Sequence, residues 1–411
     1  MYGGVENPGK GAGVHFYFGK EMTLEQSSTI NVNMKGAEIS GNKTTGNGGL
    51  GGGIYVENNA PAAKDYTINV NFNYGKVNDN VSTGHGGGIY ILNENVTSQQ
   101  TGSEVLEIKG NTSLYSGGGM HIEGGGFDMT GGMICSNAVT ADDGVGAGVY
   151  IDGGSLELNE GSISENISAS HGGGAYVAGG GNFTMSGGEM NRNDASGNGG
   201  GVFLDGGDFE VSDGIISANI SKAGGGGAYI AGGGNFTMSG GSMSGNYTES
   251  NGGGAFLDSG ELKVTDGSIN DNEADLNGGG ICILNGAVDM GSGLITSNVC
   301  GQYGGGVYVY NSSDSVGKTV TFNGGSVTEN VAEYGGGVCV DGLITLSIGS
   351  VEIAENTAVN GGGVCLLNKA DIEFGKGQIK NNNAKVKAET PAFQTAWPVS
   401  YTHLTLPTSD L

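Results

Sequence analysis

A triplet of small residues, nearly always glycines, followed by alternating apolar residues returns along most of this 411-residue chain, and a motif repeating at fixed spacing limits the possible folds more than any single segment does. The first clear copy is Gly51-Gly52-Gly53-Ile54-Tyr55-Val56; further copies begin at Gly86, Gly117, Gly146, Gly172, Gly199, Gly225, Gly252, Gly278, Gly304, Gly335 and Gly361. Gly11-Ala12-Gly13 reads as an eroded earlier one. Through the middle of the chain successive copies lie 26 or 27 residues apart, and longer intervals are confined to the two flanks.

Two further elements sit inside each period. One is an apolar pair around a polar residue, as in Phe183-Thr184-Met185, Phe209-Glu210-Val211 and Phe236-Thr237-Met238. That alternation marks a strand with one buried face. The other is an apolar residue followed three positions later by asparagine, as at 163–166, 190–193 and 269–272. Three short strands with no helical segment between them cannot rejoin a parallel sheet through a helix crossover. Winding the chain into a solenoid solves the problem, each strand pairing in parallel with its equivalent about 4.8 Å away. The predicted fold is therefore all-β, a right-handed parallel β-helix of about thirteen coils with three short strands each, the hand following from the rule for parallel connections. It spans 1–383 and is on the order of 60 Å long.

Composition agrees. Gly accounts for 88 residues and Pro for only 5, without collagen's strict every-third spacing, so the glycines serve turns and close backbone approach in a repeat fold. Asp and Glu total 42 against 16 Lys and Arg, a formal charge of -26, which argues against a nucleic-acid partner. No apolar run is long enough for a membrane-spanning helix. The five cysteines lack CxxC spacing, so neither a disulfide framework nor a zinc site is predicted, and no cofactor is implied.

Register between coils places like residues in columns. Tyr55, Tyr90, Tyr150, Tyr176, Phe203, Tyr229, Phe256 and Tyr308 share one slot with His121, Cys282, Cys339 and Cys365, on the same side as Asp152, Asp205 and Asp258 two positions on. The expectation is an outward, exposed aromatic column able to stack against a glycan or a protein partner, the alternative being that it only covers the coil surface beneath a long loop. Asn166, Asn193, Asn219, Asn246, Asn272, Asn298, Asn330, Asn356 and Asn382, preceded by Asn42, Asn80 and Asn137, are expected to form a ladder at a turn, since Asn tolerates left-handed geometry and stacked copies bond one another. The acidic column reads as a solvated face; the Gly-Gly-x-Gly-x-Asp calcium repeat is absent and no metal site is predicted.

Catalysis would need unlike residues converging at one place. His15 and His121 occupy the aromatic slot, His85 and His171 precede glycine triplets, and all four read as substitutions within the repeat. The enzyme alternative is a β-helix polysaccharide lyase or glycoside hydrolase working through paired carboxylates, for which Asp142-Asp143 is the one adjacent aspartate pair of the repeat region.

The coupling of Gly173-Gly174-Ala175-Tyr176 and Gly253-Gly254-Ala255-Phe256 with Ile163 to Asn166 and Ile269 to Asn272 resembles the GGAI and FxxN repeats of the polymorphic outer membrane protein family and similar bacterial adhesin-like β-helix proteins. The resemblance covers about residues 11–383, and departs in using Ile, Met or Val where that family has Phe, and in a third Gly in most copies. It implies a surface-displayed or secreted, non-catalytic passenger or stalk, engaging a host or matrix glycan or protein, and exported through a C-terminal barrel. No such barrel is present in the sequence. From residue 384 the period stops, and 399–408 resembles an in-frame translation of a sequencing adapter. The chain thus reads as a piece of a longer repeat protein.

Overall fold

The structure, a computed structural model, describes residues 9–19, 29–59, 67–98, 104–311 and 318–385. The expected tail at 386–411, including 399–408, lies outside the described residues. No described residue is helical, and the strands stack in parallel as a β-solenoid.

The strand after each glycine triplet joins a first sheet of thirteen parallel strands, running from Val14–Phe18 through Ala175–Ala178 and Val202–Asp205 to Val364–Leu367. Pairing is in phase, so Ala175 faces Val202, Tyr176 faces Phe203 and Val177 faces Leu204. The apolar-pair strand and the strand leading to asparagine share a second sheet. In several coils they fuse into one ten-residue strand, such as Ser155–Ser164, irregular near its middle, where Gly161 adopts φ 98°.

The expectation of three strands per coil needs one correction. A fourth ladder of two-residue strands follows the asparagine, from Val81–Ser82 to Val299–Cys300, and makes a nine-stranded third sheet. Two residues are too few to display an alternation in sequence, yet each pair has one side in and one out, as Ile167 is exposed and Ser168 buried.

Between these sheets runs one continuous core. Ala175 and Val177 of the first sheet meet Phe183, Met185 and Met190 of the second, all fully buried, and the same slots repeat in each coil. Phe183, Phe209 and Phe236 stack inside it at 4.6 and 5.0 Å. The corner into the first sheet is where glycine is required. Gly199 has φ 70°, and a Cβ on Gly201 would lie 2.4 Å from the carbonyl oxygen of Gly227 one coil on.

Candidate functional site

The outer face of the first sheet is built by the alternation within its strands: positions one and three point to the core, positions two and four away from it. Position two carries the aromatic column. Tyr55 and Tyr90 lie 5.2 Å apart, Tyr90 stacks on His121 at 4.4 Å, and the stack continues through Tyr150, Tyr176, Phe203, Tyr229 and Phe256 at 4.7 to 5.4 Å. The strand repeat of about 4.8 Å is close to ring-stacking distance, so rings in register cover each other's faces. This corrects the expectation of an exposed column. The slot does lie outside the core, but Tyr55 is 1% exposed and Tyr90, Phe203, Phe256 and Tyr308 4 to 7%, while Tyr150, Tyr176 and Tyr229 are half-buried. From Tyr150 to Tyr229 each ring stacks on a ring of the coil before and of the coil after.

Where position four is acidic it supplies acceptors for three of the column's tyrosine hydroxyls. The Tyr90 hydroxyl donates to Glu123, that of Tyr176 to Asp205 at 2.8 Å, and that of Tyr308 to Asp341 at 3.4 Å, each one coil further along. Burial, then the neighbouring carboxylates, pushes the Tyr150 and Tyr229 hydroxyls up to about 12.

A further column, missed in the sequence, stands immediately before the triplets, where His85, Ser116 and Val145 pair in successive coils. It brings together histidines that the repeat had kept apart. Ser116 Oγ lies 2.6 Å from His85 Nδ1 and 2.8 Å from His121 Nδ1, and the two rings meet edge-on at 5.3 Å. The Ser116 hydroxyl can donate to one Nδ1 and accept an N–H from the other, a bridge that two neutral imidazoles in complementary tautomers complete. Burial lowers both pKa values; His121, sandwiched between Tyr90 and Tyr150, drops well below the usual histidine range. In the same column the His171 ring stacks on Phe203 and its Nδ1 accepts the Asn198 amide. The signal was available: residues preceding the triplet share a slot just as those following it do.

The asparagine ladder runs unbroken from Asn42 to Asn382. Asn166 shows the unit. Its Nδ2 donates to Asn193 Oδ1 at 2.9 Å and to the Ile134 carbonyl at 3.0 Å, and its backbone N–H donates to the same Asn193 Oδ1. Asn193, Asn219, Asn246, Asn272, Asn298, Asn330 and Asn356 repeat this pattern fully or nearly fully buried, and Asn382 ends it half-buried. Asn111, overlooked in the sequence, is a rung as well. The left-handed residue, however, is the one before the asparagine, as in Glu165, Arg192 and Ala218 with φ of 57°, 53° and 53°. The side chain serves the turn by hydrogen bonding alone.

Asp142 and Asp143 are exposed in the loop before Gly146, and all five cysteines are free thiols, with Cys339 and Cys365 paired in register. Among the described residues, no group of three or more His, Cys, Asp or Glu is arranged to hold a metal ion, and no helix is long and apolar enough to cross a membrane. No protein-family model, curated protein or solved structure matches this chain.

Proposed function

We propose that this chain is the repeat region of a bacterial surface-displayed or secreted protein, adhesin-like and non-catalytic, serving as a stiff stalk that carries binding features along its side. The observation that supports this reading best is the continuous asparagine ladder, which ties each coil to the next from Asn42 to Asn382 by buried hydrogen bonds. Such a rod gains length one coil at a time without changing its cross-section. The resemblance of the Gly-Gly-x and Φ-x-x-Asn motifs to adhesin-like repeats points the same way.

Protease shaving of intact source cells, with an antibody raised against the repeat region, tests the display. Loss of signal from whole cells supports it; protection in whole cells with loss only after lysis overturns it. Incubation with a panel of acidic and plant polysaccharides tests the non-catalytic part. Release of reducing ends or of unsaturated uronides would replace the stalk by a lyase or hydrolase.

A further inference from the structure

Towards the C-terminal end the outer face of the first sheet changes character. Its fourth position mixes the acids Glu57, Glu123, Asp152, Asp205 and Asp258 with Leu92, Ala178 and Ala231 in earlier coils, and then holds the larger apolar Leu284, Tyr310 and Leu367 in later ones, broken by Asp341. The column before the triplets likewise turns aromatic, with Tyr303 and Tyr334 paired across adjacent coils. Beneath them Phe256, Cys282, Tyr308 and Cys339 are buried in an apolar cluster separate from the main core.

Cysteines interrupt the ring stack here, and Tyr308 packs on rings of the flanking columns within its own coil instead of on rings of its own column. Tyr308 stacks on Tyr303 at 5.5 Å and on Tyr310 at 5.2 Å, and Tyr303 contacts Tyr334 at 5.2 Å. Tyr303, Tyr310 and Tyr334 each remain partly exposed. Carboxylates stand at the rim. Asp341, paired in register with Tyr310, accepts the Tyr308 hydroxyl and the Asn368 amide, and Asp258 occupies the same fourth position two coils before Tyr310; burial, with the Asp258 charge added, pushes the Tyr229 and Tyr310 hydroxyls up to about 12.

We propose that Tyr303, Tyr310 and Tyr334, rimmed by Asp258 and Asp341, form a docking surface for a basic polypeptide segment bearing several Lys or Arg residues. Aromatic faces attract cations by their quadrupole, most strongly where water is partly excluded. The rim carboxylates supply the counter-charge, and the net charge of -26 steers a basic partner towards the molecule. A second copy of this chain would bring the same negative charge and be repelled. A neutral glycan could stack on the rings but would gain nothing from the rim or the field. The inference stands whether or not the chain is displayed on a cell surface.

Fluorescence anisotropy of a short labelled Lys/Arg peptide with the full chain tests this, with a Glu peptide of equal length and a neutral cello-oligosaccharide as comparison probes. The basic peptide should bind at low salt and the Glu peptide should not. Tyr303→Ala with Tyr310→Ala should weaken binding about tenfold or more, whereas Tyr310→Phe, which keeps the ring, should not. Asp258→Asn with Asp341→Asn, which nearly preserves side-chain shape, should also weaken it. Glu157→Gln with Glu210→Gln makes the same charge change on exposed positions of the second sheet and should matter less than about twofold. Equal effects of the two carboxylate pairs would reduce the binding to diffuse electrostatics and overturn the proposal. So would no peptide binding at all, or oligosaccharide binding abolished by the tyrosine variants.

Discussion

Asn219 shows how much one side chain can carry in this fold. It links Asn193 to Asn246, accepting from the first through Oδ1, and its Nδ2 donates to the second and to the Met190 carbonyl, all away from water. Asn219→Ala leaves several buried polar groups without partners, each costing on the order of 1–3 kcal/mol. A total loss of about 3–5 kcal/mol in chemical denaturation is expected, against about 1 kcal/mol for Asn382→Ala at the half-buried end of the ladder. The neighbouring position predicts the opposite sign. Ala218 holds φ 53°, a conformation that penalises any residue with a Cβ, and the equivalent residue one coil on is already Gly245 at φ 62°. Ala218→Gly should therefore stabilise the protein by roughly 0.5–1 kcal/mol, read as a raised denaturation midpoint. Histidine sets the acid limit. His85, His121 and His171 are all held neutral below the ordinary histidine value, burial outweighing the opposing pull of Glu123 on His85 and of Asp205 on His171. A depressed imidazole contributes its stability in full above the unfolded value of about 6.5 and loses it as pH falls below that value towards the folded one. His121→Phe, with a ring already used in this slot at Phe203 and Phe256, should flatten the dependence of unfolding free energy on pH below about 6.5. An unchanged slope would remove the His85-Ser116-His121 cluster from the account.

At the scale of the strand, the two aromatic stacks make a comparison. Phe209 lies in the core between Phe183 and Phe236, whereas Phe203 lies on the outer face between Tyr176 and Tyr229. Phe209→Ala opens a closed cavity and should cost about 3–5 kcal/mol. Phe203→Ala opens a notch that water can enter, so about 1–2 kcal/mol is expected, from lost stacking and apolar contact. Thermal unfolding of the two variants orders them, and equal costs would mean that the outer stack is as dry as the core. The period-2 pattern made the strands and their facing legible, because inward apolar residues are enforced by burial. It did not reveal the fourth ladder, whose two-residue strands are held by their neighbours more than by their own side chains. Nor did it show that an outward slot can be nearly dry, since that depends on what stands one coil above and below.

The whole molecule behaves as a one-dimensional stack, and the sequence carries a measure of it. Residues 172–224 and 225–277 match at an offset of 53, two coils in length. Deleting 172–224 rejoins His171 to Gly225 at an equivalent corner, so the shortened chain should keep its β circular dichroism and a cooperative transition at somewhat lower stability. A deletion of about half that unit plus a few residues breaks register in every sheet at once and should abolish the transition. Charge also acts at this scale. The acids are spread along the outer faces, with ion pairs between Lys10 and Glu57 and between Lys380 and Glu352. The negative field therefore extends along the rod, and a partly exposed aromatic patch within it meets basic partners first.

Sequence alone determined the all-β class, the coil boundaries, the inward slots and the asparagine column, because each repeats at a fixed interval and the cost of burying the wrong residue is imposed afresh in every coil. Tertiary structure decided whether an outward slot is open. The ring stack from Tyr90 to Phe256 closes on itself because successive strands sit at ring-contact distance, while Cys282 and Cys339 break it and leave Tyr303, Tyr310 and Tyr334 facing water. Exposure belongs to a column and its neighbouring columns together, and residues before and after a glycine corner become neighbours only once the chain is wound.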